Sequence, residues 1–379
     1  MADVRPLRGL RYAEPLEPVL APPYDVLSEA QVAEYRARSP HNVVHLTRPG
    51  ADYAAAGRLL QEWIGAGVLV EEPGPRMYLH ETEFDAGQGR RVRRDLLAAL
   101  RLQPYEDRAV LPHERTHRGP RDDRLALLRA TGASLEPLWF LAEGLLELLE
   151  AAPAGEERSF QFAGERHRLR GIGEGEWTSS VARLLAGQPV LIADGHHRYE
   201  TLLAYSRERD GGPDAASRFT LALLTDLADP GLLVLPTHRL LKAGVAVTGG
   251  EPAGSLQETL GALRGQVAAG TYRGGQFQVL PLEGEVAALE LHRQIIDNLL
   301  GKRSPEEYLD YTRDAEEAVR WVDSGQGVAA FFLDAPDLAS VLRAAREGRT
   351  LPQKTTYFHP KPPSGMLFHL LDAGRGLQA

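Results

Sequence analysis

The chain has 379 residues, 43% hydrophobic and 25% charged, enough apolar content to bury an ordinary core and to exclude a disordered or fibrous protein. A net charge of −9 argues against unselective nucleic-acid binding, and the absence of cysteine removes disulfides, thiolate nucleophiles and cysteine-bound zinc. No run reaches the roughly 18–20 apolar residues of a membrane span, and the opening MADVRPLRGLRYAEPLEP lacks the apolar core of a secretory signal, so a soluble cytoplasmic protein is expected.

In chain order, an extended, proline-punctuated opening leads to the helical pattern SEAQVAEYRARS at 28–39 and an apolar run from Val43 to Leu46. A helix is predicted from about Asp52 to Ala66, where Leu59, Leu60, Trp63 and Ile64 recur at helical spacing. MYLHETEF and VRRDLLAALRL read as two strands around the turn signal Gly87-Gln88-Gly89. A polar loop, Pro104 to Asp122, precedes a helix that begins at Asp122 and Asp123 and is closed by Gly132 as C-cap.

Beyond it come strand LEPLWFLA, a short leucine helix, strands near 158–170, helix WTSSVARLLAG, strand VLIA, helix YETLLAYSRER and strand FTLALLTDL. The alternation predicts an α/β (α+β) chain without internal repeats. Residues 243–256, rich in glycine and proline, read as a boundary, so the expected division is 1–245, a smaller α/β unit at 246–350, and a C-terminal segment 351–379 returning to the active site.

The sharpest local signal is Val190 to Glu200, where an apolar strand runs through Asp194 and Gly195 into His196, His197, Arg198 and a helix. Backbone N–H groups at such a helix start favour anions, the imidazoles and guanidinium add charge-assisted donors, and Asp194 suits a metal or proton role. The plainer alternative, Asp194 as a helix cap, uses only one of these four polar side chains. His113-Glu114-Arg115-Thr116-His117 matches the zinc-protease pattern. That chemistry needs one helix face, and Pro112 and Gly119-Pro120 leave under two turns, so the protease is rejected; a surface loop with incidental charges is the plainer alternative.

Gly348 to Thr355 falls one residue short of a Walker A loop, with Gln353 in place of glycine and a strand-like pattern where a helix is required. Lys354 and Lys361 are nonetheless two of only four lysines among 43 basic residues, suited to phosphate as point charges. Pro236-Thr237-His238-Arg239 follows an apolar strand, at the kind of strand end where sites gather.

Together these strings resemble a bacterial and archaeal family known as domain of unknown function 1015. The resemblance rests on APPYDV at 21–26, NVVHL at 42–46, PHERT with GPRDDRLALLRAT at 112–131, IADGHHRYET at 192–201, PTHRLL at 236–241, YTRDAEEA at 311–318, and PQKTTYF with PKPPSG at 352–365. Arg121 stands where the family is expected to carry lysine. The Asp-Gly-His-His-Arg string is also similar to the phosphate-binding turn of the ParB and sulfiredoxin superfamily, whose members with this spelling include kinases of free L-serine.

The resemblance implies a ParB/sulfiredoxin-like catalytic core and a kinase that makes O-phosphoserine from serine and pyrophosphate or a nucleotide, assisted by Mg²⁺. It implies Gly195, His196, His197, Arg198, His238, Arg239, Lys354 and Lys361 at the donor, and His113, Thr116, Arg121, Arg124, Tyr24 and Asp25 at the substrate. Asp194 and Glu114 would be the base and metal carboxylates, with His197 beside them in catalysis. The residues alone reach only an anion site with an acid and a base nearby. A ParB-like nucleotide switch or DNA-associated module and a non-enzymatic phosphometabolite sensor are the other classes, the acidic balance counting against the DNA half. Residues 190–207 are expected to form strand, turn and helix, and the Lys354 to Lys361 stretch to fold back against the Asp194 to Arg198 turn.

Overall fold

The hairpin read between residues 76 and 101 is the centre of the larger sheet in a computed structural model, which describes residues 1–377 apart from 14, 88, 115–118, 210, 244–248, 302, 304 and 372–375. The chain divides into two units. The first holds residues 1–112, the chain from 116 to Leu233, and the C-terminal segment from Pro360. Its nine-stranded sheet comprises β1 (Val4–Arg5), β2 (Arg76–Asp85), β3 (Arg90–Arg101), β4 (Val110–Leu111), β5 (Leu138–Ala142), β6 (Glu156–Phe162), β7 (Glu165–Gly173), β8 (Val190–Asp194) and β9 (Phe219–Asp226).

The order is β4-β8-β5-β9-β3-β2-β7-β6, with β1 taking a place beside the end of β3, where Val4 faces Leu100. β4 runs parallel to β8 and β5 to β9, and the remaining pairs are antiparallel, so the architecture is α+β. β9 is buried at every position, as its continuous apolar run demands of a strand covered on both faces, whereas β6 at the sheet edge is half exposed.

Helices α1 (Glu29–Arg38), α2 (Tyr53–Gly65), α3 (Gly119–Thr131), α4 (Glu176–Ala186) and α5 (His196–Glu208) belong to this unit. Ser28 and Asp52 accept the orphan N–H groups at the starts of α1 and α2. α3 begins three residues ahead of Asp122, and Gly132 ends it at φ +58°. The stretch read as a polar loop therefore contains β4 and the first turn of α3, because a two-residue strand is too short to show alternation. One core joins Leu96, Ala98 and Leu100 of β3, Phe140 of β5, Ile192 of β8 and Leu224 of β9 to Tyr199, Leu202 and Tyr205 of α5.

The second unit is Val234–His359 with His113 and Glu114. Its strands β10 (His238–Leu241), β11 (Glu251–Ala253), β12 (Ala268–Arg273), β13 (Gln276–Pro281), β14 (Leu309–Thr312) and β15 (Ala329–Phe332) form an antiparallel sheet, order β11-β13-β12-β15-β10-β14. A helical stretch over 287–300 packs Leu291 and Ile296 with Leu241, Leu309 and Phe331. Helices α6 (Leu256–Leu263) and α7 (Ala315–Asp323) pack Leu263 and Ala318 with Tyr272 and Phe332.

The division differs from 245/246 and 350/351 for a pairing reason. β10 hydrogen-bonds β14 and β15, so the chain from 234 belongs with the strands C-terminal to it, and the intervening glycine- and proline-rich stretch joins strands of one sheet. At the other end, bridges Ala21 to Ser364 and Leu10 to Phe368 tie the last segment to the first unit. Among the described residues no helix is long and apolar enough to cross a membrane.

Candidate functional site

β8 ends at Asp194, and Gly195 carries the chain into α5 at φ +100°. A Cβ at this position would meet Leu138 Cδ2 at 2.7 Å and the Arg198 guanidinium at 3.2 Å, so conformation and space both require glycine. Residues 190–207 thus form the expected strand, turn and helix. The apolar face of α5, Tyr199, Leu202 and Tyr205 together with His196, is buried, which fixes the direction in which its first N–H groups point. A helix start has N–H groups without intrahelical acceptors and the positive end of the dipole.

Charged side chains from four of the sequence strings converge on this turn. Lys361 Nζ lies 2.7 Å from Asp194 Oδ1 and 3.2 Å from Asp25 Oδ2. Arg198 Nη2 donates to Asp194 Oδ2 at 2.9 Å, its Nη1 donates to the Pro137 carbonyl at 3.0 Å, and Glu136 Oε2 lies 3.7 Å away. Glu136 itself accepts from the backbone of Tyr24 at 3.0 Å and from Ser364 Oγ at 2.5 Å. Arg124 stacks 4.2 Å over the Tyr24 ring and donates to the Thr47 carbonyl at 2.9 Å.

The side chains of Arg198 and Lys361 are only 13% and 11% exposed. Burial opposes both charges, yet Glu136 and Asp194 hold the Arg198 guanidinium well above its ordinary value, and Asp194 and Asp25 do the same for the Lys361 ammonium. Burial pushes the Tyr24 hydroxyl up. A small cavity of about 60 Å³ adjoins the cluster, lined in part by Thr47, Arg124, Glu136, Arg198 and Thr201.

Beneath Lys361 lies a polar cluster that the sequence reading missed. Arg93, fully buried, donates through Nε to both oxygens of Asp95 at 2.9 and 3.0 Å and through Nη1 to the Pro360 carbonyl at 2.7 Å. Its guanidinium lies 4.2 Å from the Trp139 ring centre. Asp95 also accepts from Thr225 at 2.5 Å and faces His80 Nδ1 at 3.2 Å, while His80 Nε2 is 3.1 Å from His167 Nδ1. Burial works against the Asp95 charge, but Arg93 and His80 hold the carboxyl below its ordinary range. Pro360 precedes Lys361, so this pair anchors the backbone that carries the lysine. The available signal was an arginine and an aspartate two residues apart, so on one face of the strand, where its arginine-rich start meets its apolar run.

In the second unit, Glu114 bridges to Leu351, whose N–H donates to the His113 carbonyl at 2.7 Å, so PHERT and PQKTT meet across more than 230 residues. Glu114 Oε1 accepts from Thr355 N at 3.2 Å. Burial holds its carboxyl above the ordinary value against the pull of Lys354 and of backbone N–H groups from 354 to 356. Buried His113 places Nε2 2.9 Å from Thr356 Oγ1. Exposed Lys354 adopts φ +56°, and its carbonyl lies 3.4 Å from Nη2 of buried Arg239.

His238 departs from the expected donor role. Burial, and then Arg239, bring it down to about 4, so it is neutral at pH 7; its Nδ1 accepts from Leu333 N at 3.3 Å and its ring stands edge-on to Phe332. It packs where a phosphate-binding cation was expected. His113 and Glu114 lie at a β-bridge and α3 starts only at Gly119, so the helix that zinc-protease chemistry needs is not formed at these two residues. Thr116 and His117 fall outside the described residues, as does the side chain of Arg121.

Of the two carboxylates expected to hold Mg²⁺, Asp194 has its oxygens against Lys361 and Arg198, and Glu114 Oε1 accepts a backbone N–H. Among the described residues no group of three or more His, Asp or Glu forms an all-protein metal site, and a carboxylate that holds Mg²⁺ would share it with substrate phosphate and water.

Among solved structures, a free serine kinase in complex with AMP is similar at a TM-score of 0.42 and 16% identity, over 70% of this chain and 89% of that one. A mutant free serine kinase with ADP gives 0.42 and 15%, over 70% and 90%. A conserved hypothetical protein from Pyrococcus furiosus gives 0.39 and 17%, over 68% and 90%. No curated protein matches. The family described as "Protein of unknown function (DUF1015)" matches residues 4–316, the greater part of the sequence, and the chain belongs to it.

Proposed function

We propose that the chain is a phosphotransferase that moves a phosphoryl group from pyrophosphate or a nucleotide to the hydroxyl of free L-serine. The observation that carries this reading is the Gly195 turn with the largely enclosed Arg198 and Lys361 at its mouth. Phosphoryl transfer depends on position and on neutralising charge spread over phosphate oxygens. The N–H groups at the start of α5 take donor oxygens, and Lys361 exchanges part of its pairing with Asp194 and Asp25 for the arriving phosphate. Arg124, beside Tyr24, is the candidate clamp for the serine carboxylate.

The acceptor oxygen bonds to phosphorus as the bond to the leaving phosphate breaks, the leaving group keeps the electron pair, and the hydroxyl proton passes to a carboxylate. Asp194, held by two cations at this turn, orients them. The test is incubation with L-serine, Mg²⁺ and pyrophosphate, ATP or ADP, read by mass spectrometry for O-phosphoserine. Product is expected with one of the donors and is lost in Lys361→Ala; no product with any of them overturns the reading.

A further inference from the structure

The second unit contains a cavity of about 270 Å³, just below the usual range of small-molecule pockets. Arg239 and Thr237 form part of its wall and are 1% and 5% exposed. The guanidinium donates to two carbonyls, Thr237 O at 2.5 Å and Lys354 O at 3.4 Å. Among the described residues no carboxylate lies within ion-pair distance of it, and Arg239 Nε and Thr237 Oγ1 have no hydrogen-bond partner. Burial pulls Arg239 down to about 10, with Tyr311 and Glu114 opposing only in part. A buried cation without a counter-charge is costly, and a guanidinium fork is matched by an oxyanion.

The remaining wall decides which oxyanion. Glu285, Asp334 and Asp337 are the lining carboxylates beside the one lining guanidinium, and Glu285 is paired with Arg343 and Arg349, which are not among the lining residues. Glu285 is kept ionised by Arg349 and Arg343, and Asp337 by the N–H groups it caps at Ala339 and Ser340. A polyphosphate would meet these as like charges, whereas a single carboxylate needs one cation and one further donor. Val267, Val286 and Leu333 supply apolar contact. We propose that this cavity binds a small metabolite carrying one carboxylate, its oxygens on Arg239 and the Thr237 hydroxyl and its body of a few heavy atoms against Val286 and Leu333. The assignment stands apart from the phosphotransfer reading and departs from the expectation that Arg239 holds the phosphoryl donor.

Thermal unfolding of the full chain with glycine, L-alanine or L-lactate tests it, with phosphate and pyrophosphate as parallel arms. At least one carboxylate should raise the Tm by a few degrees; Arg239→Gln should abolish that shift, and Thr237→Val, which removes only the unpartnered hydroxyl, should reduce it. Any shift caused by phosphate or pyrophosphate should survive Arg239→Gln. The proposal is overturned if none of the three carboxylates shifts the Tm or if their shift persists in Arg239→Gln. A phosphate or pyrophosphate shift that this substitution abolishes overturns it equally. If Arg239→Gln does not fold, Thr237→Val decides between the same outcomes. Because no arm measures transfer, its failure and that of the phosphotransfer reading are separately visible.

Discussion

Arg198 of the first unit and Arg239 of the second are both withdrawn from solvent, but their surroundings differ. Arg198 stands between Asp194 and Glu136, and Arg93 is clasped by Asp95; Arg239 has two carbonyls and the Tyr311 ring, with no carboxylate at ion-pair distance among the described residues. A paired buried charge is held by its partner, and removing one member strands the other; removing an unpaired one strands no counter-charge, only the carbonyls it donates to, while relieving the cost of burying the charge. The comparison is tested most strongly by Arg198→Met, expected to cost the first unit about 3–5 kcal/mol, against Arg239→Met, expected to be neutral or stabilising in the second. Denaturant unfolding followed by hydrogen exchange on peptides from each unit measures both, and equal losses would break the contrast.

Histidine gives a second contrast. His238 and His292 are pulled down by burial, to about 4 and about 3. The unfolded chain takes up protons near pH 6.5, so each histidine contributes stability that is complete above about pH 7 and declines as pH falls through 6.5 toward its folded value. The second unit should lose roughly 2–4 kcal/mol between pH 7 and pH 5 from this pair. Replacing both by glutamine should flatten that fall in second-unit peptides alone. A smaller effect is expected at Gly195→Ala, about 1–2 kcal/mol from the left-handed backbone and added strain against Leu138, together with loss of phosphoserine formation.

Features set by neighbouring residues were legible in the sequence. The Gly87 to Gly89 turn, the Asp52 cap and the strand–glycine–helix at 190–208 each arise from residues within a few positions of one another. Features set by distant pairing were not. The strand 238–241 looks like the end of the first domain until its partners at 309–312 and 329–332 are known. His238 next to an arginine reads as a second cation, because a dipeptide carries no information about burial. Arg93 and Asp95 were visible as two charges on one face of an arginine-rich strand, but the Pro360 carbonyl that Arg93 reaches lies 267 residues away. Lys361 stood out by rarity, whereas its seat between Asp25 and Asp194 depends on long-range closure.

The smallest expected effect separates the two lysines of the C-terminal strings. Lys361 is largely enclosed between two carboxylates, and its removal takes the ion pair from Asp25 while Asp194 keeps Arg198; Lys354 is exposed, so its charge adds little to stability. What Lys354 does bear is a left-handed backbone at φ +56°, a region that disfavours any residue with a Cβ. Lys354→Gly should therefore stabilise the second unit by about 0.5–1 kcal/mol, while Lys354→Ala, which keeps the Cβ, should stay within about 0.5 kcal/mol of the parent. Both substitutions remove the positive charge that draws Glu114 down, so the Glu114 carboxyl should titrate higher in each by the same amount. Carbon-13 NMR titration of Glu114 beside denaturant unfolding measures the two effects independently. A stability change shared by both variants would mean that the lysine side chain, rather than its backbone angle, sets the energetics of this turn.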